Sequence, residues 1–544
     1  MPTWIEPAAS PPRPMEDKQY FLSPDLTHRL AALDIGSNSI RLVIAEALRG
    51  GNYRILDEEK ASTRLGKGLG TTGRLNPQAV DQSFEALRRM KQIVAGFQVR
   101  ELRVIATCAV REAKDGGEFV RRVREEIGLD IEVISSREEA HLAFFSVARS
   151  FSLEGKQVAV ADTGGGSTEL ILASGKFIEA ICPTQLGAVR YTELFDAAQP
   201  MSSDRFEEML DAIDRDLRKH TKHVLLEPHV LIGSGGTFTT LAEMCMAIKG
   251  QTGLPVGGSE VTRAEVRHLL DRLRKLSPEA RRSLPGLSPD RADIIVAGVA
   301  IVDRLMRHFE LNRVSIHDRG VRDGLLLTMI DKSLGSVSVN PHDQEVAVER
   351  LAANCGVDLK HGRHVARIAG LIFSQLLDRF GLDPKDCALL DAAARLQDVG
   401  YLINYDQHHK HSYYLILNSR LAGFQPQELE LVANIARYHR GAEPKKKHSN
   451  FCTLSSRDQQ RVRQLSAILR IAGGLDRTNT QQVRAVTVVL DGEDVTLRVA
   501  AYENPEVDIW TAERRAEPFE KAFGVKLKIE WENPAERTAE GGAA

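Results

Sequence analysis

The chain carries almost no net charge. Its 72 Lys and Arg stand against 74 Asp and Glu over 544 residues, a formal balance of -2. That excludes a uniformly basic nucleic-acid coat and a strongly acidic solvating tail, and no DNA partner is expected. A long apolar run is also missing. The longest, Ile294 to Val302, is stopped by Asp293 and Asp303, well short of the ~20 residues that a membrane span needs. Met1 to Pro24 is Pro-rich and has no apolar stretch of the export type, so it reads as a disordered leader. Cysteine is scarce and scattered: Cys108, Cys182, Cys245, Cys355, Cys387 and Cys452 form no CxxC pair. A zinc ribbon and a disulfide framework are thereby excluded. Isolated thiols suit a reducing cytoplasm.

What is present is an ordinary globular composition, 42% hydrophobic and 27% charged. At roughly 150 residues per domain, the length suggests three or four domains. One device occurs twice. Asp34-Ile35-Gly36-Ser37-Asn38-Ser39 lies between the apolar runs Leu30–Leu33 and Ile40–Ala45. Asp162-Thr163-Gly164-Gly165-Gly166-Ser167 lies between Val158–Ala161 and Leu170–Leu172. Each reads as strand, tight turn, strand with the pattern Asp-x-Gly-x-x-Ser, which suggests two related lobes. A third turn, Gly233-Ser234-Gly235-Gly236-Thr237, follows the apolar Val230–Ile232 and precedes a helical pattern over Leu241–Ile248. The lobes are expected to be α/β.

Glycine lets successive N–H groups converge on an anion, and Ser hydroxyls add donors. Each turn alone reads equally well as a mere tight hairpin. The repeated pair with the third turn points to a cleft for a polyanion. The leading Asp makes sense there if a divalent cation lies between carboxylate and phosphate oxygens. Two more segments belong to this reading. Strand Val104–Ala106 leads into Thr107 and Arg111 at a strand end. Arg111 is either a fork for phosphate oxygens or a solvated loop residue. Ser135-Ser136-Arg137-Glu138-Glu139 opens a helix. Either Ser136 and Glu139 form the capping box, or Ser135 and Glu138 form it and Glu139 is left free to act as a general base.

These segments resemble the Ppx/GppA phosphatases, the exopolyphosphatases and guanosine pentaphosphate phosphohydrolases. Leu33 to Ser39, Ser135 to Ala140, Ala161 to Leu170 and Gly233 to Thr237 agree in order and spacing. Leu284-Pro285-Gly286-Leu287 and Gly320-Val321-Arg322-Asp323-Gly324 also match. The resemblance covers about Leu30 to Trp531. It implies two actin-like, ribonuclease H-like lobes around a cleft, followed by a helical HD-like domain and a small C-terminal domain containing β-strands. The expected divisions are a leader at 1–28, lobes at 29–145 and 146–335, a helical domain at 336–478, and an α/β tail at 479–544 with a frayed end.

The implied reaction is hydrolysis of a terminal phosphoanhydride, of inorganic polyphosphate or alternatively of guanosine pentaphosphate (pppGpp), assisted by Mg²⁺. By motif, Glu139 matches the base that activates water, and Asp162 and Asp34 the carboxylates that hold the metal or order the water. Gly36, Ser37 and Asn38, then Gly164, Gly165, Gly166 and Ser167, then Gly235, Gly236 and Thr237 match the phosphate-contacting turns. Thr107 and Arg111 lie in the matching cleft wall. A homodimer is implied as well.

From about Val346 to Leu475 helical periodicity dominates and His is frequent. His361-Gly362-Arg363-His364 resembles the opening of an HD-type phosphohydrolase. Asp398, His411, His439 and Asp476 fall where further ligands would. Gln397 replaces the expected His, and Gln is a weak transition-metal ligand, so a non-catalytic remnant is expected. Lys445-Lys446-Lys447 is either part of a basic path or a solvated run. An HD-type hydrolase would survive Glu139→Ala and fail in Asp398→Ala. A non-enzymatic binder would hold polyphosphate without releasing phosphate.

Overall fold

The computed structural model describes residues 28–532, apart from 49–51, 225, 335–340, 420, 422, 493 and 502. The expected leader lies outside the described residues but for His28. The 335/336 division and the frayed end at 533–544 lie outside them too.

Two sheets share one plan. The first holds β1 (His28–Ile35), β2 (Ile40–Leu48), β3 (Asn52–Ala61), β4 (Glu101–Ala106) and β5 (Ile131–Val133), in the order β3-β2-β1-β4-β5. The second holds β6 (Gln157–Thr163), β7 (Thr168–Ser174), β8 (Phe177–Thr184), β9 (Val230–Ser234), β10 (Glu260–Thr262) and β11 (Arg313–Ile316), in the order β10-β11-β9-β6-β7-β8. Each has an antiparallel three-strand meander whose first strand then pairs in parallel with the strands that follow. β10 adds an antiparallel edge to the second. The lobes are therefore α/β with mixed sheets.

The central strands are buried on both faces, as helices on both sides of a sheet require. Along β6, Ala159 and Ala161 join one core, while Val158 and Val160 join another with Phe144 and Val147 of the helix Ser136–Ser150. Along β1, Ala31 and Leu33 face the helix Pro77–Gly96, while Leu30 and Ala32 face Leu325 and Met329. The latter two belong to helix Val321–Leu334, so the chain returns from the second lobe to cover the first sheet. This helix crosses Ser136–Ser150 closely. A Cβ on Gly324 would stand 2.0 Å from the Leu142 carbonyl oxygen, which is why the position is Gly. Ser146 fixes the crossing: its hydroxyl donates to Asp323 Oδ2 at 2.6 Å and lies 2.7 Å from His317 Nε2.

The remainder is helical up to Gly474, then a sheet of β12 (Val483–Asp491), β13 (Asp494–Ala501) and β14 (Lys526–Glu532). The helices and this sheet share one hydrophobic core, in which Val486, Leu497 and Phe519 join Phe373 and Ile468. No helix among the described residues is long and apolar enough to cross a membrane.

Candidate active site

The two Asp-led turns join β1 to β2 and β6 to β7, and each is closed by the same bond. Gly36 N donates to Ser39 O at 3.1 Å, and Gly164 N donates to Ser167 O at 2.9 Å. The turns meet across the cleft. A Cβ on Gly165 would lie 3.2 Å from Ser37 Cβ, and one on Gly166 would lie 2.9 Å from Ser37 Oγ and 2.5 Å from Cys108 Sγ. Only glycine permits this approach. The carbonyls of Gly164 and Gly165 accept from Ala188 N at 3.1 Å and Val189 N at 2.8 Å, and the Gly166 carbonyl accepts from Arg190 Nε at 2.9 Å. In a planar peptide the N–H points opposite its carbonyl. The N–H groups of Gly165, Gly166 and Ser167 are thereby turned away from the helix Ala188–Phe195, as an anion nest requires.

The third turn lies beside the second. Gly235 has φ +91°, and a Cβ there would stand 2.6 Å from Thr163 O and 3.0 Å from Asp162 Oδ1. Ser234 Oγ donates to Asp162 Oδ1 at 2.7 Å. Helix Gly236–Ile248 starts here with no side-chain cap, which leaves its first N–H groups for a ligand. Thr237 is buried, with its side chain against Gly298. Its contribution to the turn is therefore through the backbone.

Glu139 stands at the first turn of its helix, and the capping question has a definite answer. Ser135 Oγ accepts from Glu138 N at 3.2 Å, and Glu138 Oε2 accepts from Ser135 N at 2.8 Å. Glu139 is left out of the cap and turned inward, 8% exposed. Arg111 Nη1 donates to Glu139 Oε2 at 3.0 Å and to the Ile134 carbonyl at 2.9 Å. The residues after Thr107 form a short helix, Cys108–Glu112, and that brings Arg111 to Glu139. Thr107 is buried, its N–H donating to Ile35 O at 3.2 Å.

The electrostatics are those of carboxylates crowded away from water. Burial pushes Glu139 up to about 8, with Asp34 and Asp162 adding and Arg111 opposing. Burial pushes Asp34 up to about 6 against Arg322 and Arg41, and it raises Asp162 too. Asp34 Oδ1 and both polar atoms of the Asn38 amide are buried without a hydrogen-bond partner. Excess buried carboxylate oxygen with an unpartnered atom fits a hard divalent cation held by Asp34 and Asp162. Burial lifts the Cys108 thiol to about 11, which favours the protonated form.

Several residues of the site were given no role from sequence. Glu169 is buried, accepts from Ser167 Oγ at 2.8 Å, and is raised by burial and by Glu139. Its signal was register, since it lies two residues beyond Ser167 on a strand. Arg41, by contrast, reads from sequence as a contact for a guanosine phosphate or for polyphosphate, or as a surface strand residue; it pairs in register with Asp34, and Arg322 acts on the same carboxylate. Arg291 lies over the third turn, where a Cβ on Gly236 would meet its guanidinium. The helical domain's predicted ligands gather about Asp398, whose Oδ2 lies 3.8 Å from His361 Nε2. His361 Nδ1 lies 2.7 Å from Asp476 Oδ2, while Asp398 stands with His439 and with His408 rather than His411. The helix begins at His408, so His411 sits ~4.5 Å further along its axis. Lys445, Lys446 and Lys447 are exposed.

The model of the Ppx/GppA phosphatase family matches residues 43–333, and that of Ppx/GppA phosphatase domain III matches residues 344–512. A solved Ppx/GppA family member from Aquifex aeolicus is 31% identical, with 57% of this chain and 100% of that chain covered and a TM-score of 0.49. A solved exopolyphosphatase from Cytophaga hutchinsonii is 26% identical, with 57% and 100% covered and a TM-score of 0.53.

Proposed function

Because the chain belongs to the Ppx/GppA phosphatase family, we propose that its cleft releases orthophosphate from the end of inorganic polyphosphate, with Glu139 as general base. The observation that carries this reading is Glu139 itself: freed from its helix cap, buried, and adjoining the two Asp-led turns. Phosphoryl transfer demands positioning and charge neutralisation more than covalent help. The backbone N–H groups of Gly165, Gly166 and Ser167, with the uncapped start of helix Gly236–Ile248, hold the non-bridging oxygens of the terminal phosphate. Ser37 and the unpartnered Asn38 amide close the opposite wall. Asp34 and Asp162 would hold Mg²⁺, which when bound neutralises charge on the transferred group.

A water oxygen placed between Glu139 and the terminal phosphorus attacks it. The bridging P–O bond breaks, the water proton passes to Glu139, and the chain leaves one phosphate shorter. Arg111 holds the Glu139 carboxylate in one orientation. Guanosine pentaphosphate presents the same terminal phosphoanhydride and is the competing substrate. The reading extends to a homodimer and to the cytoplasm, where six unpaired cysteines are at home. The helical domain is proposed as HD-like and without hydrolytic activity of its own.

The test is phosphate release from long-chain polyphosphate with Mg²⁺, wild type beside Glu139→Gln, with guanosine pentaphosphate in parallel. The variant is expected to lose a factor of ~10² or more, the size of general-base loss. Equal rates would remove Glu139 from the mechanism. The ratio of the two substrates identifies the preferred one.

A further inference from the structure

Outside the cleft, three donor atoms of the helical domain converge. Asp398 Oδ1, His408 Nε2 and His439 Nε2 all lie within 4.8 Å of one another. His408 Nε2 is 3.4 Å from the carboxylate oxygen, His439 Nε2 is 3.8 Å from it, and the two nitrogens are 3.4 Å apart. Each residue comes from a different segment. Asp398 precedes the turn Val399–Leu402, His408 opens helix His408–Leu417, and His439 follows helix Pro426–Arg437. Both imidazoles are buried.

The backbone sets the tautomers. His408 Nδ1 lies 3.0 Å from Tyr405 O, and His439 Nδ1 lies 2.7 Å from Ala436 O. A carbonyl only accepts, so both Nδ1 atoms carry the proton. In rings that carry no second proton, both Nε2 atoms then present lone pairs to each other and to a carboxylate. Three lone-pair donors facing one another in a buried site repel unless a positive charge lies among them. Nor is the spacing that of hydrogen bonds, which run at roughly 2.7–3.2 Å. Donors that share one ion at about 2.0–2.2 Å stand roughly 3.4 Å apart in a tetrahedral set.

The arrangement is built rather than incidental. A metal-bound His characteristically gives its other N–H to a carbonyl or carboxylate, as both rings do here. Ser412 Oγ donates to Gln397 O at 2.6 Å and accepts from Gly400 N at 3.0 Å, which ties the Asp398 turn to the His408 helix. A Cβ on Gly400 would stand 2.0 Å from His408 O. Gln407, just before His408, holds φ +57°, a strained backbone for a non-glycine residue. On the other side of the carboxylate, His361 Nε2 is 3.8 Å from Asp398 Oδ2, its Nδ1 held by Asp476.

We propose that Asp398, His408 and His439 bind one divalent first-row transition ion of the Zn²⁺ type. Two neutral imidazoles and one carboxylate favour such an ion over Mg²⁺, which prefers oxygen and retained water. The three donors leave a coordination position open, on the side of Asp398 or for water. Gln397 is no part of the set, so the replacement of His at that position does not abolish it.

The experiment uses the full chain, purified without chelator and assayed by elemental analysis. Wild type is expected to hold one transition ion per chain. Asp398→Asn and His439→Gln are expected to lose it, and Glu139→Gln to keep it, since that residue lies in the cleft. Chelator-stripped wild type is then titrated with Co²⁺ alone, whose visible absorption reports nitrogen ligation without need of any variant. A metal-free wild type that also gives no Co²⁺ spectrum overturns the proposal. So does metal retained undiminished in both ligand variants.

Discussion

Asp162 and Glu169 are direct partners across the β6–β7 ladder, so two carboxylates stand on one face of a buried hairpin. Directly opposed like charges weaken a sheet. Here burial raises both, and Glu139 and Asp162 raise Glu169 further. In the equivalent hairpin of the first lobe, Asp34 faces Arg41 instead. The duplicated scaffold thus carries opposite charge at one corresponding place. The excess of carboxylate on the second lobe suits a site that receives a cation with its anionic substrate.

Glu169→Gln keeps the shape and the bond from Ser167 while removing one of the crowded charges. A carboxyl whose folded pKa lies above its unfolded value keeps a proton that the unfolded chain releases. Its penalty to folding therefore grows as pH rises past ~4.5. The variant is expected to melt higher than wild type by ~2 °C or more at pH ~8, with a smaller gap at pH ~5. Melting curves at the two pH values decide it. A gap that does not widen with pH would contradict the charge argument.

Glu139 must be deprotonated to accept a proton, and burial places it at about 8. The rate is expected to climb with pH toward that value and to fall away below it. Arg111 opposes the upward shift, so Arg111→Met is expected to move the acid limb to higher pH, and Arg111→Lys to move it less. The profile of kcat/KM against pH for the three proteins provides the check. An unmoved limb in Arg111→Met would show that the pair is only structural.

Gly166→Ala would place a methyl 2.5 Å from Cys108 Sγ and 2.9 Å from Ser37 Oγ. The lobes must then separate at the phosphate turns. The expected result is a rise in KM with a fall in kcat, of ~10² together in kcat/KM, since misplacement of about 1 Å costs that much. Cys108→Ala in the same chain makes room and is expected to restore part of it. No recovery in the double variant would place the defect elsewhere.

Much of the lobe architecture could be read from residue pattern. Asp-x-Gly-x-x-Ser between two apolar runs demands a tight turn, and its repetition announced two related sheets. The Ser135–Glu139 stretch contained the right question, because two capping registers fit it and only packing separates them. What lay beyond reach was long-range. Glu169 reads as an ordinary strand residue until register sets it opposite Asp162. Arg291 reaches the site from 55 residues past the turn it covers, through tertiary packing that no local period encodes. His408 replaced His411 because a left-handed Gln407 fixes where the helix starts, and a strained dihedral leaves no periodic trace.

Helix Val321–Leu334 supplies Val321, Leu325, Met329 and Ile330 to the face of β1 and β2 formed by Leu30, Ala32 and Val43. The first lobe is thus encoded by two stretches separated by the whole of the second. During synthesis, its apolar back is covered only in part, by Ala143 and Leu142 of helix Ser136–Ser150, until the residues of the second lobe have been translated. Lobe one cannot finish before lobe two, and the nascent chain needs its second half to shield the first.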